Sequence, residues 1–195
     1  MTEKIDDKLL KNASSQLAMR DSQLRGFIAK HGLPSVRKRP NNFDTLLKII
    51  CAQQISTFAA RAISDRLDLL ASPLTASKYL GLPPEVIGKV GLSKQKIRYG
   101  FELATALESG QFSLRKIASM GDEDAIAEMT KIVGIGRWTA EMYLIFALGR
   151  PDIWPVGDLG VIKGVMGIKK LEEKPSKELL NYIGDQYRPW RSIAA

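Results

Sequence analysis

Apolar residues recur at helical spacing along nearly the whole chain, and no stretch alternates in the manner of a strand. Ile5, Leu9, Leu10, Leu17 and Met19 predict a first helix over residues 4–19. Leu24, Phe27 and Ile28 fit one stripe of a second, capped by Asp21 and stopped at Gly32. A short basic loop, VRKRP, separates these from FDTLLKIICAQQIS, which Asn42 caps. That helix is apolar on most sides and is predicted to be central. Ser56 or Thr57 starts the next one. Prolines 73, 83 and 84 and glycines 81, 88 and 91 divide residues 71–92 into short pieces. Ser93 caps a longer helix that ends at Gly110, and two short helices follow, the second capped by Asp122. Residues 176–187 form a further helix before the closing RPWRSIAA. The expected fold is all-α, with about ten mostly short helices.

The most informative stretch runs from Lys131 to Val161. Val133-Gly134-Ile135-Gly136 opens directly into an apolar helix. Two glycines permit close approach of another backbone, and the first free N–H groups of the helix form a site for a phosphate oxygen. Arg137 is placed to reinforce it. The same pattern also fits a plain turn between two helices. Downstream, Pro155-Val156-Gly157-Asp158 delivers one carboxylate at the start of another apolar run. Asp158 reads equally as the N-cap of LGVIKGVM.

Charge narrows the partner. The 195 residues carry 29 Lys and Arg against 21 Asp and Glu, a net charge of +8, which favours nucleic acid. The single cysteine, Cys51, excludes an internal disulfide and any four-cysteine metal site. It lies in an apolar run and reads as core. The N-terminal MTEKIDDKLLKN mixes charges and lacks the apolar centre of a secretory signal, so a reducing compartment is expected. His31, the one histidine, reads as a charge complement at a helix C-terminus.

The Ile-Val-Gly-Ile-Gly hairpin, the Trp-Thr-Ala helix and WPVGDLGV together resemble the helix-hairpin-helix/Gly-Pro-Asp superfamily of DNA glycosylases. FDTLLKIICAQQIS resembles the QQ-x-S segment of that superfamily, and GLSKQKIRY resembles its GLS-x-x-K segment. The resemblance extends from about residue 21 onward and is nearest the 3-methyladenine DNA glycosylase II branch, in the form without an N-terminal β-domain.

The resemblance implies two helical subdomains with the active-site cleft between them: residues 43–154 carrying the hairpin, and residues 1–42 with 155–195 carrying the catalytic Asp158. It implies damaged double-stranded DNA as partner, a monomer, no membrane association and no required cofactor. A structural Na+ or K+ could be held by the carbonyls of Ile132 and Ile135. Gly134, Gly136, Arg137, Thr139, Gln53, Gln54, Ser56, Lys94 and Lys96 are then the DNA-binding residues, Gln54 being the minor-groove wedge and Arg98 a further phosphate candidate. Trp138 and Met142 would line the base pocket. Trp138 stands where glycosylases that also cut the backbone carry a Schiff-base lysine, so a monofunctional hydrolase of alkylated bases, of 3-methyladenine type, is implied. The alternatives are a bifunctional glycosylase/lyase and a non-catalytic binder of duplex or abasic DNA. RPWRSIAA is shorter than the corresponding helix of relatives, and Met142 replaces a pocket aromatic found in some of them, so a more open base pocket is expected.

Overall fold

Most helices in the computed structural model, which describes residues 4–195, start where a polar side chain folds back onto free backbone N–H groups. Asp6 accepts from Leu9 N–H at 2.7 Å and begins α1 (Asp7–Arg20). The expected start at residue 4 is thus moved inward by this cap. Asp21 begins α2 (Ser22–His31), and Gly32 closes it with φ of 76°. Asn42 begins α3 (Phe43–Cys51), and Ser56 begins α4 (Thr57–Leu70). The proline-rich region holds α5 (Ala76–Leu80) and α6 (Pro84–Gly88), and Ser93 then begins α7 (Lys94–Glu108). α8 (Leu114–Ser119), α9 (Asp122–Met129) and α10 (Arg137–Phe146) lead to α11 (Leu159–Lys169), α12 (Lys177–Asp185) and α13 (Arg191–Ala194).

Among the described residues the secondary structure is entirely helical, as expected, but with thirteen helices rather than ten. One local expectation changes. Gly121, not Asp122, occupies the N-cap of α9; Asp122 joins Glu123 and Asp124 in the first turn, where carboxylates complement the helix dipole. Within the closing RPWRSIAA, Arg191–Ala194 form α13.

The chain divides into two compact units. One comprises Arg39–Tyr143; the other joins the chain up to Lys38 with Leu144–Ala195, so the boundary falls inside α10. In the Arg39–Tyr143 unit α3 is buried almost all round, through Phe43, Leu46, Leu47, Ile49, Ile50 and Cys51. Burial pushes the Cys51 thiol up to about 12, which keeps it protonated and inert. Tyr79 is fully buried against Phe43 and Phe101 and occupies the space that a side chain at Gly100 would need.

In the other unit the core is Leu17, Leu24, Trp154, Val161, Ile162, Val165, Leu180, Ile183 and Tyr187. Asp21 ties it together. Its Oδ1 caps α2 at Gln23 and Leu24, while its Oδ2 accepts from Lys169 and the Tyr187 hydroxyl, each at 2.6 Å. Burial alone would raise this carboxyl, but the bonds from Lys169, Tyr187 and Leu24 outweigh it and bring it from 3.8 down to about 2. A carboxyl depressed on folding adds stability that is complete above its unfolded value and is lost as pH falls toward its folded one. Acid titration should therefore remove roughly 2 kcal/mol from this unit between about pH 4 and pH 2. Asp21→Asn should abolish that share of the pH dependence, measured by chemical denaturation across the window.

Candidate functional site

The hairpin between α9 and α10 closes by short backbone bonds. Ile132 N–H donates to Met129 O at 3.1 Å and Ile135 N–H to Ile132 O at 3.0 Å. Gly134 sits between them with φ of 93°, a conformation L side chains rarely adopt. A Cβ there would also collide with the Tyr99 ring, packed over it from α7. Gly136 differs: its backbone is not left-handed, and nothing lies within 4 Å of where its Cβ would be. Position 134 is glycine for strain and packing, while position 136 leaves an open face at the start of α10. The Gly136 carbonyl accepts from Ala140 N–H at 3.1 Å, the first bond of that helix.

Arg137 follows at once. Its guanidinium makes a two-pronged bond to Glu123 at 2.9 and 2.7 Å and a third to Glu141 at 2.9 Å. Glu141 is buried, one turn further along the same face of α10. A basic side chain beside the hairpin was legible in the sequence; its two carboxylate partners were not.

Across from the hairpin lies the turn that links α3 to α4. The sequence suggests one helix through Ser56, but α3 stops at Cys51. The Lys96 ammonium caps its end, donating to Cys51 O at 2.8 Å and Gln53 O at 2.7 Å. Gln53 turns its amide toward the hairpin, where Nε2 donates to Gly134 O at 2.9 Å and to Thr139 Oγ1 at 2.8 Å. Gln54 is then exposed, with φ of 56°, a strained value for a non-glycine residue. Ser56 is exposed too, its hydroxyl accepting from Ala59 N–H at 3.2 Å as the cap of α4.

The sequence groups Gln53, Gln54, Ser56, Thr139 and Lys96 as side chains meeting DNA. The structure brings Gln53, Thr139 and Lys96 together, but onto one another and onto backbone, with Thr139 buried. Lys94 is exposed, at the rim of an apolar groove lined by Pro84, Ile97 and Phe101. Arg98 is also exposed and pairs loosely with Glu102 at 3.5 Å. Trp138 is half-buried and Met142 buried, one turn apart on α10. Among the described residues no cluster of His, Cys, Asp and Glu could hold a metal ion.

Asp158 belongs to the other unit. Val156 N–H to Trp154 O at 3.0 Å and Asp158 N–H to Pro155 O at 2.9 Å close the turn that carries it. Its Oδ1 accepts from Gly160 N–H at 2.7 Å and Val161 N–H at 3.0 Å, the N-terminus of α11. One carboxylate oxygen is thus held by two backbone N–H groups. The turn is anchored by Trp154, whose indole N–H donates to Leu180 O at 2.9 Å and whose ring meets Tyr187 edge-on at 6.0 Å. Gly184 makes room for that indole: a Cβ there would strike Nε1. Trp154, Gly184 and Glu141 carry no local signal, because their partners lie far away in sequence or require the folded helix.

A glycine hairpin opening a helix, a braced exposed turn beside it and a lone carboxylate at a proline turn define a helix-hairpin-helix protein with a candidate acid. No protein-family model matches the sequence. Individual relatives do. DNA-3-methyladenine glycosylase 1 of Schizosaccharomyces pombe is 31% identical over 163 residues, covering 82% of this chain and 71% of that protein. YfjP of Bacillus subtilis is 26% identical over 161 residues, covering 78% of this chain but only 56% of its own length. The fold superposes on the S. pombe 3-methyladenine DNA glycosylase solved in complex with abasic DNA, with a TM-score of 0.87 at 26% identity, over 94% of this chain and 92% of that one. The chain belongs to the DNA-3-methyladenine glycosylases.

Gly134→Ala should cost at least about 2 kcal/mol in denaturant unfolding, from left-handed strain plus the clash with Tyr99. Adding Tyr99→Ala to that variant should recover the clash and leave the strain.

Proposed function

We propose that the protein is a monofunctional DNA glycosylase of base excision repair, hydrolysing the N-glycosidic bond of alkylated bases of the 3-methyladenine type in double-stranded DNA. The observation that carries this reading is the fixed carboxylate of Asp158, the one acid in the family's Gly-Pro-Asp segment, held by two backbone N–H groups at the end of a proline turn. The net charge of +8 supports attraction to the phosphate backbone.

The lesion base must leave the stack before its bond can be reached. Gln54, exposed at the tip of its turn, fills the gap from the minor groove. The hairpin N–H groups at Gly134 and Gly136 hold a backbone phosphate, with Lys94 as a further phosphate contact. As the bond at C1′ breaks, its electron pair leaves with the base and positive charge grows on the sugar. Asp158 faces that charge, and it orients or deprotonates the water whose oxygen bonds to C1′. A purine alkylated on a ring nitrogen such as N3 is already cationic and departs neutral, so the enzyme needs little acid assistance. Trp138 and Met142 form the wall for that base, an indole being suited to a cationic ring.

Trp138 supports the monofunctional reading, because tryptophan cannot form the imine through which lyases open the sugar. No redox cofactor enters this chemistry. The neutral carbonyls of Ile132 and Ile135 are the groups that would hold a monovalent cation bridging to a phosphate; Ile132 O keeps a second lone pair beside the bond it accepts from Ile135 N–H. The protein acts as a monomer wherever the genome lies, the nucleoid or the nucleus.

Duplexes carrying different modified bases, scored for released free base, test this directly. Wild type should release 3-methyladenine-type bases, and Asp158→Asn should do so at least about 10²-fold more slowly while binding DNA unchanged. Equal rates in the two proteins would remove Asp158 from catalysis. Borohydride added to an abasic duplex should trap no covalent complex; a trapped adduct would establish the lyase route instead.

A further inference from the structure

The Gln54 turn and the glycine hairpin come from distant parts of the sequence, yet a small set of polar bonds fastens them together. Gln53 uses its side-chain amide on Gly134 O and Thr139 Oγ1, which fixes the turn to the hairpin and to the first turn of α10. Lys96 uses its ammonium on Cys51 O and Gln53 O, which fixes the same turn to α7. Tyr99, one turn further along α7, packs on Gly134 as well. Gln54 follows directly, exposed and in a left-handed backbone conformation that only a constrained environment maintains.

We propose that Gln53 and Lys96 are positioning residues that lock the Gln54 turn to the phosphate-holding hairpin, so that gripping the backbone and probing the base stack occur as one rigid movement. This rests on the glycosylase reading above, and specifically on Gln54 as the wedge. Neither residue touches DNA in this assignment. Both are already engaged: the ammonium donates to two carbonyls, and the amide N–H groups meet an acceptor pair that includes a buried hydroxyl. The physical benefit is entropic. A wedge on a loose loop must be ordered as it enters the groove, and that cost subtracts from binding to the flipped state. A braced wedge has met the cost during folding.

The discriminating quantity is the preference of the protein for a duplex containing a stable abasic-site analogue over the same duplex intact. It requires no base release. Gln53→Glu keeps the shape but loses the donor; Lys96→Met keeps the stem but loses the charge; Lys96→Arg keeps a donor. Each of the first two should reduce the preference about tenfold, the size of one lost charge-assisted or buried hydrogen bond. Lys96→Arg should restore most of it. Combined with Gln54→Ala, neither should reduce the preference further, because both act through that side chain. Fluorescence of 2-aminopurine opposite the analogue should brighten with wild type and stay quenched with Gln53→Glu and Lys96→Met.

Losses that multiply in the double variants would overturn the proposal. So would a Lys96→Met protein that weakens equally on both duplexes with a salt slope lower by about one, which would make Lys96 a phosphate ligand. Unfolding of both single variants would make the bonds merely structural and end it as well. Wild type with no preference for the abasic duplex would instead bring down the glycosylase reading itself.

Discussion

The hairpin can close because nothing projects from Gly134 toward the ring of Tyr99. That vacancy has two causes at one position, a left-handed backbone and a packed aromatic, and neither tolerates a side chain. Its consequences spread outward. With the ring seated on Gly134, α7 lies against the hairpin, and Lys96 on the same helix comes within reach of the end of α3. With the hairpin closed, the Gly134 carbonyl points where the Gln53 amide can find it. The exposed features are thus supported by close packing beneath them.

The other unit reaches a similar end by different means. Asp158 gains its rigidity from a proline turn anchored through one indole, and the indole is held because Gly184 yields space and Leu180 offers a carbonyl. Asp21 fastens α2, Lys169 and Tyr187 around one carboxylate, so the same helix that begins at Asp158 is secured at its far end. Charge is used here for shape rather than for attraction. A buried acid with four donors fixes positions more sharply than apolar contact alone would.

Helix caps were legible in the sequence because they depend on neighbours three residues away: Asp21, Asn42, Ser56 and Ser93 all cap where their side-chain chemistry indicates. Asp122 misled because an acid in the first turn and an acid at the cap leave almost the same signature. The Gly134 and Asp158 segments were legible as motifs, since turn geometry is local. The roles of Gln53 and Lys96 were not. A glutamine at a helix end and a lysine on a basic helix look like surface groups until the fold brings a carbonyl to each. Glu141 was hidden for the same reason, its burial being decided by how α10 packs.

In the proposed reaction Asp158 would do two things with one carboxylate, since it also caps α11 through Oδ1. The helix has a stake in that residue that is independent of any reaction. In a lineage released from selection on cleavage, most replacements would still be resisted, because loss of a capping oxygen costs about 1 kcal/mol. Asparagine and serine would pass this filter while alanine and leucine would not. Fold maintenance therefore leaves a polar relic at the old reaction centre, and a cap-competent residue there is by itself poor testimony that a descendant still cuts.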